Sequence, residues 1–250
     1  EPTAKSTRKS CRLFSGMPIN NIEFIDMKSQ PPAQPATARP PIQTAHLFAL
    51  LDFHLLNCLR SCTNEDWQRN TLAGRWTIKD VAAHLLDGNL RMLSMSRDAY
   101  FGETAPEIKE YKDLVNYLNQ LNADWIKSCK RISPAALTSL LEFTGHEYAK
   151  HIASLDPWAE AVFPVAWAGE TSSLNWFHIA REYTEKWHHQ QQIREALGST
   201  ATLMERQLFH PFIATMLKAL PHHYRNVQAR PGRSLLAEIT GEAGGKWTLY

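Results

Sequence analysis

The sequence predicts a mainly α-helical protein, a bundle of four main helices with a short, incomplete C-terminal α+β extension. Three observations carry this reading. Apolar residues recur at three- and four-residue spacing through most of residues 44–220, the period of a helix with one buried face. Helix-start signals such as Thr77-x-x-Asp80 and Ser133-Pro134 open these segments. A strand, a Gly-rich turn and a second strand then close the chain.

Residues 1–43 are rich in Pro, Ser, Thr and basic residues. The run 30–41 cannot sustain helix or sheet, because Pro fixes φ and removes a backbone donor. We read 1–43 as a flexible leader, in part an appended segment, with Met17 and Met27 as candidate starts. It has no apolar stretch suited to a secretory signal. Helix one spans about 43–61 on Leu47, Leu50, Leu51, Leu55 and Leu59, and Thr63 to Trp67 forms a capped turn. Helix two opens on the capping box at Thr77 and Asp80, buries Ile78, Val81, Ala82, Leu85 and Leu86, and runs to about Tyr100. A third helix carries Leu114, Leu118, Leu121 and Trp125, and ends near Lys130. The fourth runs from Ser133-Pro134 to about Leu155, where Asp156-Pro157 stops it, and 157–171 reads as a loop. Ser172 or Ser173 caps the next helix, which reaches Ala196 and stops at Gly198. Thr202-x-x-Glu205 opens another that ends at Pro221. Residues 44–200 thus form the bundle, and 201–250 a C-terminal helix plus β-hairpin extension. A hairpin alone is marginal, so it leans on the helices or the chain continues.

Composition excludes several classes. The 27 basic residues are scattered and the net charge is only +2, which gives no nucleic-acid surface. No apolar run approaches the ~18 residues of a membrane span. The 4 cysteines are few and none sits in Cys-x-x-Cys, so they read as plain buried or half-buried thiols in a reducing, cytoplasmic compartment, with a redox or ligand role as the alternative, since Cys58 and Cys62 are four apart and can face one way.

Two segments carry candidate chemistry. The first is Gly74-Arg-Trp-Thr-Ile-Lys-Asp-Val-Ala-Ala-His84-Leu-Leu-Asp-Gly88. His84 sits at the edge of a buried stripe. Gly88, one turn on, leaves space beside its imidazole, as a pocket or a close helix crossing would require. The second is Arg181-Glu-Tyr-Thr-Glu185-Lys-Trp-His-His189-Gln-Gln-Gln192-Ile-Arg194. Residues four apart on a helix differ by about 40°, so Glu185 and His189 project together; His188 lies on a neighbouring face and competes with His189. A polar stripe of His178, Glu182, Glu185, His189 and Gln192 runs beside an apolar one of Leu174, Phe177, Ala180, Tyr183 and Trp187. A solvated helix face has the same pattern. One His from the first segment and Glu-x-x-x-His from the second would make a three-ligand centre with an open position. Asp87 and Arg91 can anchor an anionic substrate, but read more simply as facing water; Trp76 and Trp187 read as core.

The first segment resembles the helix-two motif of the mycothiol-dependent maleylpyruvate isomerase N-terminal domain family, within the DinB/YfiT-like superfamily of metal-binding four-helix bundles. Glu185-x-x-x-His189-x-x-Gln192-Ile-Arg194 is similar to its second motif, where an acid is common at the position of Gln192. The resemblance extends over about 44–250. It implies a DinB-like bundle and the ligand set His84, Glu185 and His189; His178, Glu182, His188, Gln192, Asp87 and Arg91 lie near that set in the helical pattern and read as candidate second-layer or pocket residues. It implies a divalent metal, zinc first, with nickel, iron or manganese as alternatives. The implied activity is activation of a low-molecular-weight thiol (mycothiol, bacillithiol or glutathione) or of water, for isomerisation of, or S-transfer to, a small electrophile. A homodimer is a further expectation from the family. Two other functions fit the same residues: a non-catalytic, stress-associated metal-binding bundle acting through dimerisation or a protein partner, and a metal-dependent hydrolase.

Overall fold

A computed structural model describes residues 23–27, 42–230 and 232–250. Its helices are α1 (Phe48–Arg60), α2 (Ile78–Met92), α3 (Tyr111–Cys129), α4 (Pro134–Ser154), α5 (Asn175–Ala196), α6 (Arg206–Met216) and α7 (Leu220–Tyr224). Helices α1, α2, α4 and α5 pack on one another as the bundle; α3 lies along α2 and α6 along α5. Among the described residues no helix is long and apolar enough to cross a membrane.

The stripes read from the sequence form the core. Leu55, Leu59, Val81, Leu86, Leu137 and Ile193 fill one end of the bundle. Phe48, Leu51, Tyr148, Tyr183, Trp187 and Phe212 fill the other. Trp187 is fully buried, stacks on Phe209 with ring centroids 5.0 Å apart, and donates its Nε1 hydrogen to the Leu203 carbonyl at 3.0 Å. The capping box forms as expected: the Asp80 amide donates to Thr77 Oγ1, and the Thr77 amide to Asp80 Oδ2.

Several boundaries differ from expectation. Helix α2 ends at Met92 and passes into a π-helical turn, Leu93–Arg97, instead of continuing as α-helix to Tyr100. Neither Ser172 nor Ser173 caps α5; Leu174 is its N-cap, and Ser173 Oγ is committed to the loop, accepting from the Val165 amide and donating to Glu170. Leu174 consequently lies at the mouth of the helix and is 39% exposed, outside the buried stripe. The segment opened by Thr202 is a 3-10 turn, Ala201–Met204, before α6 begins at Arg206. Pro221 does not end a helix: it stands in the first turn of α7, where its missing donor is harmless.

The C-terminal hairpin is present as β2 (Ser234–Ile239) and β3 (Gly245–Leu249), antiparallel with Leu236 opposite Thr248. A third strand, β1 (Glu23–Met27), pairs antiparallel with β2 and places Ile25 opposite Leu236. The leader therefore contributes a sheet strand at 23–27, against the expectation of a structureless segment; the rest of that expectation lies outside the described residues. The sheet leans on α6, where Arg206 donates to the Glu242 carbonyl at 2.7 Å and His210 Nδ1 to that of Ala243 at 2.9 Å.

Helices α1 and α4 meet at Gly145, where a β-carbon would come within 2.7 Å of Asp52 Oδ2. Asp52 is pinned by a buried ion pair with Lys186 at 2.7 Å. Gly145→Ala is therefore expected to push Asp52 off Lys186 and to cost about 1–3 kcal/mol, read as a lowered denaturation midpoint; an unchanged midpoint would show that the contact is slack.

Candidate metal centre

Helices α2 and α5 cross so that His84, Glu185 and His189 bring one nitrogen or oxygen each to within 4.8 Å of one another. The rings of His84 and His189 are 4.5 Å apart between centroids. Their rotation is set by the opposite faces: Ala82 and Leu86, each two residues from His84, anchor α2 in the core, and Trp187, two residues from both Glu185 and His189, anchors α5.

Each side chain is prepared differently. Burial, and next the neighbouring His189, push the pKa of His84 down to about 3, so its imidazole is neutral at pH 7. Its Nδ1 is buried without a hydrogen-bond partner. His189 Nδ1 donates to Gln192 Oε1 at 2.9 Å, which turns Nε2 toward Glu185 Oε2 at 3.4 Å. Desolvation favours a protonated Glu185, but the hydrogen bond and charge of His189, and then Arg181, outweigh it and hold the carboxyl down at about 2. An imidazole lone pair and a carboxylate at this distance repel unless a proton or a cation lies between them. With a cation in place of the proton that His189 shares with Glu185, two neutral nitrogens and one anionic oxygen would be a donor set that a borderline divalent ion accepts.

The three groups open onto a cavity of about 450 Å³. A β-carbon on Gly88 would meet nothing within 4 Å, so the open space beside His84 belongs to this cavity. Trp76 forms a wall, its ring 5.1 Å from that of His84; it is a pocket residue and not only core, because it projects from the turn before α2. The stripe around the site is buried at its two ends, His178 and Gln192, half-buried at Glu182 and His189, and exposed at Glu185. Glu182 also lines the cavity, where it accepts from the Tyr148 hydroxyl at 2.8 Å and pairs with Arg181 at 2.7 Å. His178 is 1% exposed and bonds Arg181 through Nδ1 at 2.7 Å. Asp87 does not face water: it is 8% exposed and reaches the site only through Arg91, 3.6 Å away, which lines the cavity. His188 stays outside the three-residue cluster, beside His189 and Gln192.

The sequence reading did not single out Lys186, Tyr148, Asn89 or Asn122, all on the cavity wall. Lys186 and Tyr148 carry no motif; only their places beside Glu185 and on the inward face of α4 mark them. Lys186 Nζ stands 4.8 Å over the Tyr148 ring.

His178 gives a pH test. Burial lowers its pKa to about 4, with Glu182 opposing and Arg181 and His151 reinforcing the shift. The unfolded chain therefore takes up the proton first. The stability from the neutral ring is present above the unfolded value of about 6.5 and is lost as pH falls through about 4. His178→Gln is expected to flatten thermal stability against pH in this window; an unaltered slope would remove His178 from the acid response.

A family model described as the mycothiol maleylpyruvate isomerase N-terminal domain matches residues 48–194. No curated protein matches. Among solved structures, that of a mycothiol-dependent maleylpyruvate isomerase is 15% identical, covers 73% of this chain and 70% of its own, and superposes with a TM-score of 0.49. A histidine-to-alanine mutant of such an isomerase is 14% identical with the same coverages and TM-score. The family match spans more than half of the chain and includes His84, Glu185 and His189, and the chain belongs to the mycothiol maleylpyruvate isomerase N-terminal domain family.

Proposed function

We propose that this chain is a divalent-metal-dependent enzyme of the maleylpyruvate isomerase type, which uses a low-molecular-weight thiol to isomerise, or transfer sulfur to, a small electrophile. The single observation that carries the reading is the convergence of His84, Glu185 and His189 within 4.8 Å at the wall of a cavity. His84, Glu185 and His189 would hold the ion, with zinc the best match to two imidazoles and a carboxylate. A bound zinc ion supplies Lewis acidity, which lowers the pKa of a thiol or water.

The remaining steps belong to the chain. Gln192 keeps the proton of His189 on Nδ1 and so keeps Nε2 free to ligate. Glu185 stays ionised beside it. Trp76, Leu85 and Met92 present apolar surface that limits water around the reacting groups, and Arg91 and Arg181 bring positive charge to the same cavity. In this reading the two guanidinium groups, paired with Asp87 and Glu182, orient the carboxylates of a maleylpyruvate-like substrate.

Purified protein is expected to hold about one zinc ion per chain by mass spectrometry of the metals. His189→Ala should lose it, and Gln192→Leu should weaken zinc affinity about 10–100-fold. Maleylpyruvate isomerisation should require both metal and an added thiol. Wild-type metal content in His189→Ala, or turnover indifferent to thiol, would overturn the proposal; thiol-free hydrolysis of ester probes would point to hydrolase chemistry.

A further inference from the structure

A second cavity, of about 540 Å³, lies at the C-terminal end of α1 and shares no lining residue with the cavity at His84. Its wall carries Cys58, in the last turn of α1, and Cys62, two residues past the end of that helix, both free thiols. Cys62 Sγ donates back to the Cys58 carbonyl at 3.3 Å, which tips the sulfur toward the preceding turn. Cys58 is 8% exposed and Cys62 half-buried, so one thiol is seated in the core edge and the other is reachable from the cavity.

Distance decides what such a pair can do. The backbone of Ser61 keeps helical angles and carries the turn on past Arg60; residues four apart across such a turn have Cβ atoms about 5–6 Å from each other, whereas a disulfide needs about 3.5–4.5 Å. A direct sulfur–sulfur bond therefore requires the helix end to distort. A single soft atom bound to each sulfur at about 2.3 Å spans a wider sulfur–sulfur separation than a disulfide does. Burial raises the pKa of both thiols, that of Cys62 to about 11, so neither is a ready nucleophile at neutral pH. Arg69 and Arg194, on the same wall, oppose that rise and would offset the charge of sulfurs that have lost their protons.

We propose that Cys58 and Cys62 form a dithiol site for a soft, thiophilic ion of the trivalent-arsenic type, distinct from the centre at His84, Glu185 and His189. With an organic arsenoxide the arsenic–oxygen bond breaks, two arsenic–sulfur bonds form, and the oxygen leaves as water with both thiol protons. Arsenic stays trivalent, so no oxidant or reductant is needed.

The test is intact-mass spectrometry of the folded full chain after treatment with phenylarsine oxide. One adduct per chain is expected, resistant to excess 2-mercaptoethanol and removed by 2,3-dimercaptopropanol, because only a dithiol competes with a two-sulfur chelate. C62S and C58S should each lose the resistant adduct, while C129S and C11S keep it. Since Cys58 packs in the core, C62S carries the test if C58S fails to fold. His189→Ala should also keep the adduct, which separates this site from the proposed catalytic centre. Absence of a monothiol-resistant adduct in the wild type, its survival in C62S, or its loss in His189→Ala overturns the proposal.

Discussion

The rotation of α5 about its own axis is the constraint on which the candidate centre depends. Residues two apart on a helix point nearly opposite ways, about 200° around the axis. Trp187 stands between Glu185 and His189 in sequence and is clamped against Phe209 and Phe212. With that indole held in the core, the carboxylate and the imidazole have one direction left, toward α2. The capping box at Thr77 and Asp80 sets the start of α2 and hence the turn on which His84 arrives. The cluster is thus a product of packing on the far sides of two helices.

Beneath the cavity, charge is arranged in pairs. Lys186 meets Asp52, Arg181 meets Glu182, and Arg91 lies near Asp87. Buried ions are costly to desolvate, and a pair recovers that cost only with good geometry. Here the partners come from different helices for Lys186 and Asp52, so the ion pair also fixes the register of α5 against α1. Tyr148 extends the arrangement: its ring faces Lys186 and its hydroxyl serves Glu182. The polar network therefore connects three helices of the bundle around one side of the pocket.

How much of this was legible in the sequence follows from the range of each interaction. Helix periods and the signals at Thr77 and Ser133 are local, and the bundle helices lie close to where those signals put them. The partners of the polar stripe on α5 are not local. Whether His178 and Gln192 face water or the interior depends on α4 and α2, so helix periodicity alone left that open. Ser173 illustrates a local signal overridden by a distant one: its hydroxyl caps nothing because the Val165 amide claims it. The pairing of β1 with β2 joins segments more than two hundred residues apart, and no pattern in a Pro-rich leader announces it. The convergence of His84 with Glu185 and His189 was anticipated from paired motifs, since neither segment alone distinguishes a ligand from a satisfied core histidine.

Gly88 has a consequence for how this scaffold diversifies. A β-carbon placed there would enter free volume beside His84 and meet no neighbour within 4 Å. Most positions around a buried site are coupled to the core, so changing them disrupts packing and shape together. This one is uncoupled. The bulk of the admissible cargo can therefore be graded by a single residue, like a stop set at a chosen depth in a drilled hole, while the fold that surrounds it stays as it is.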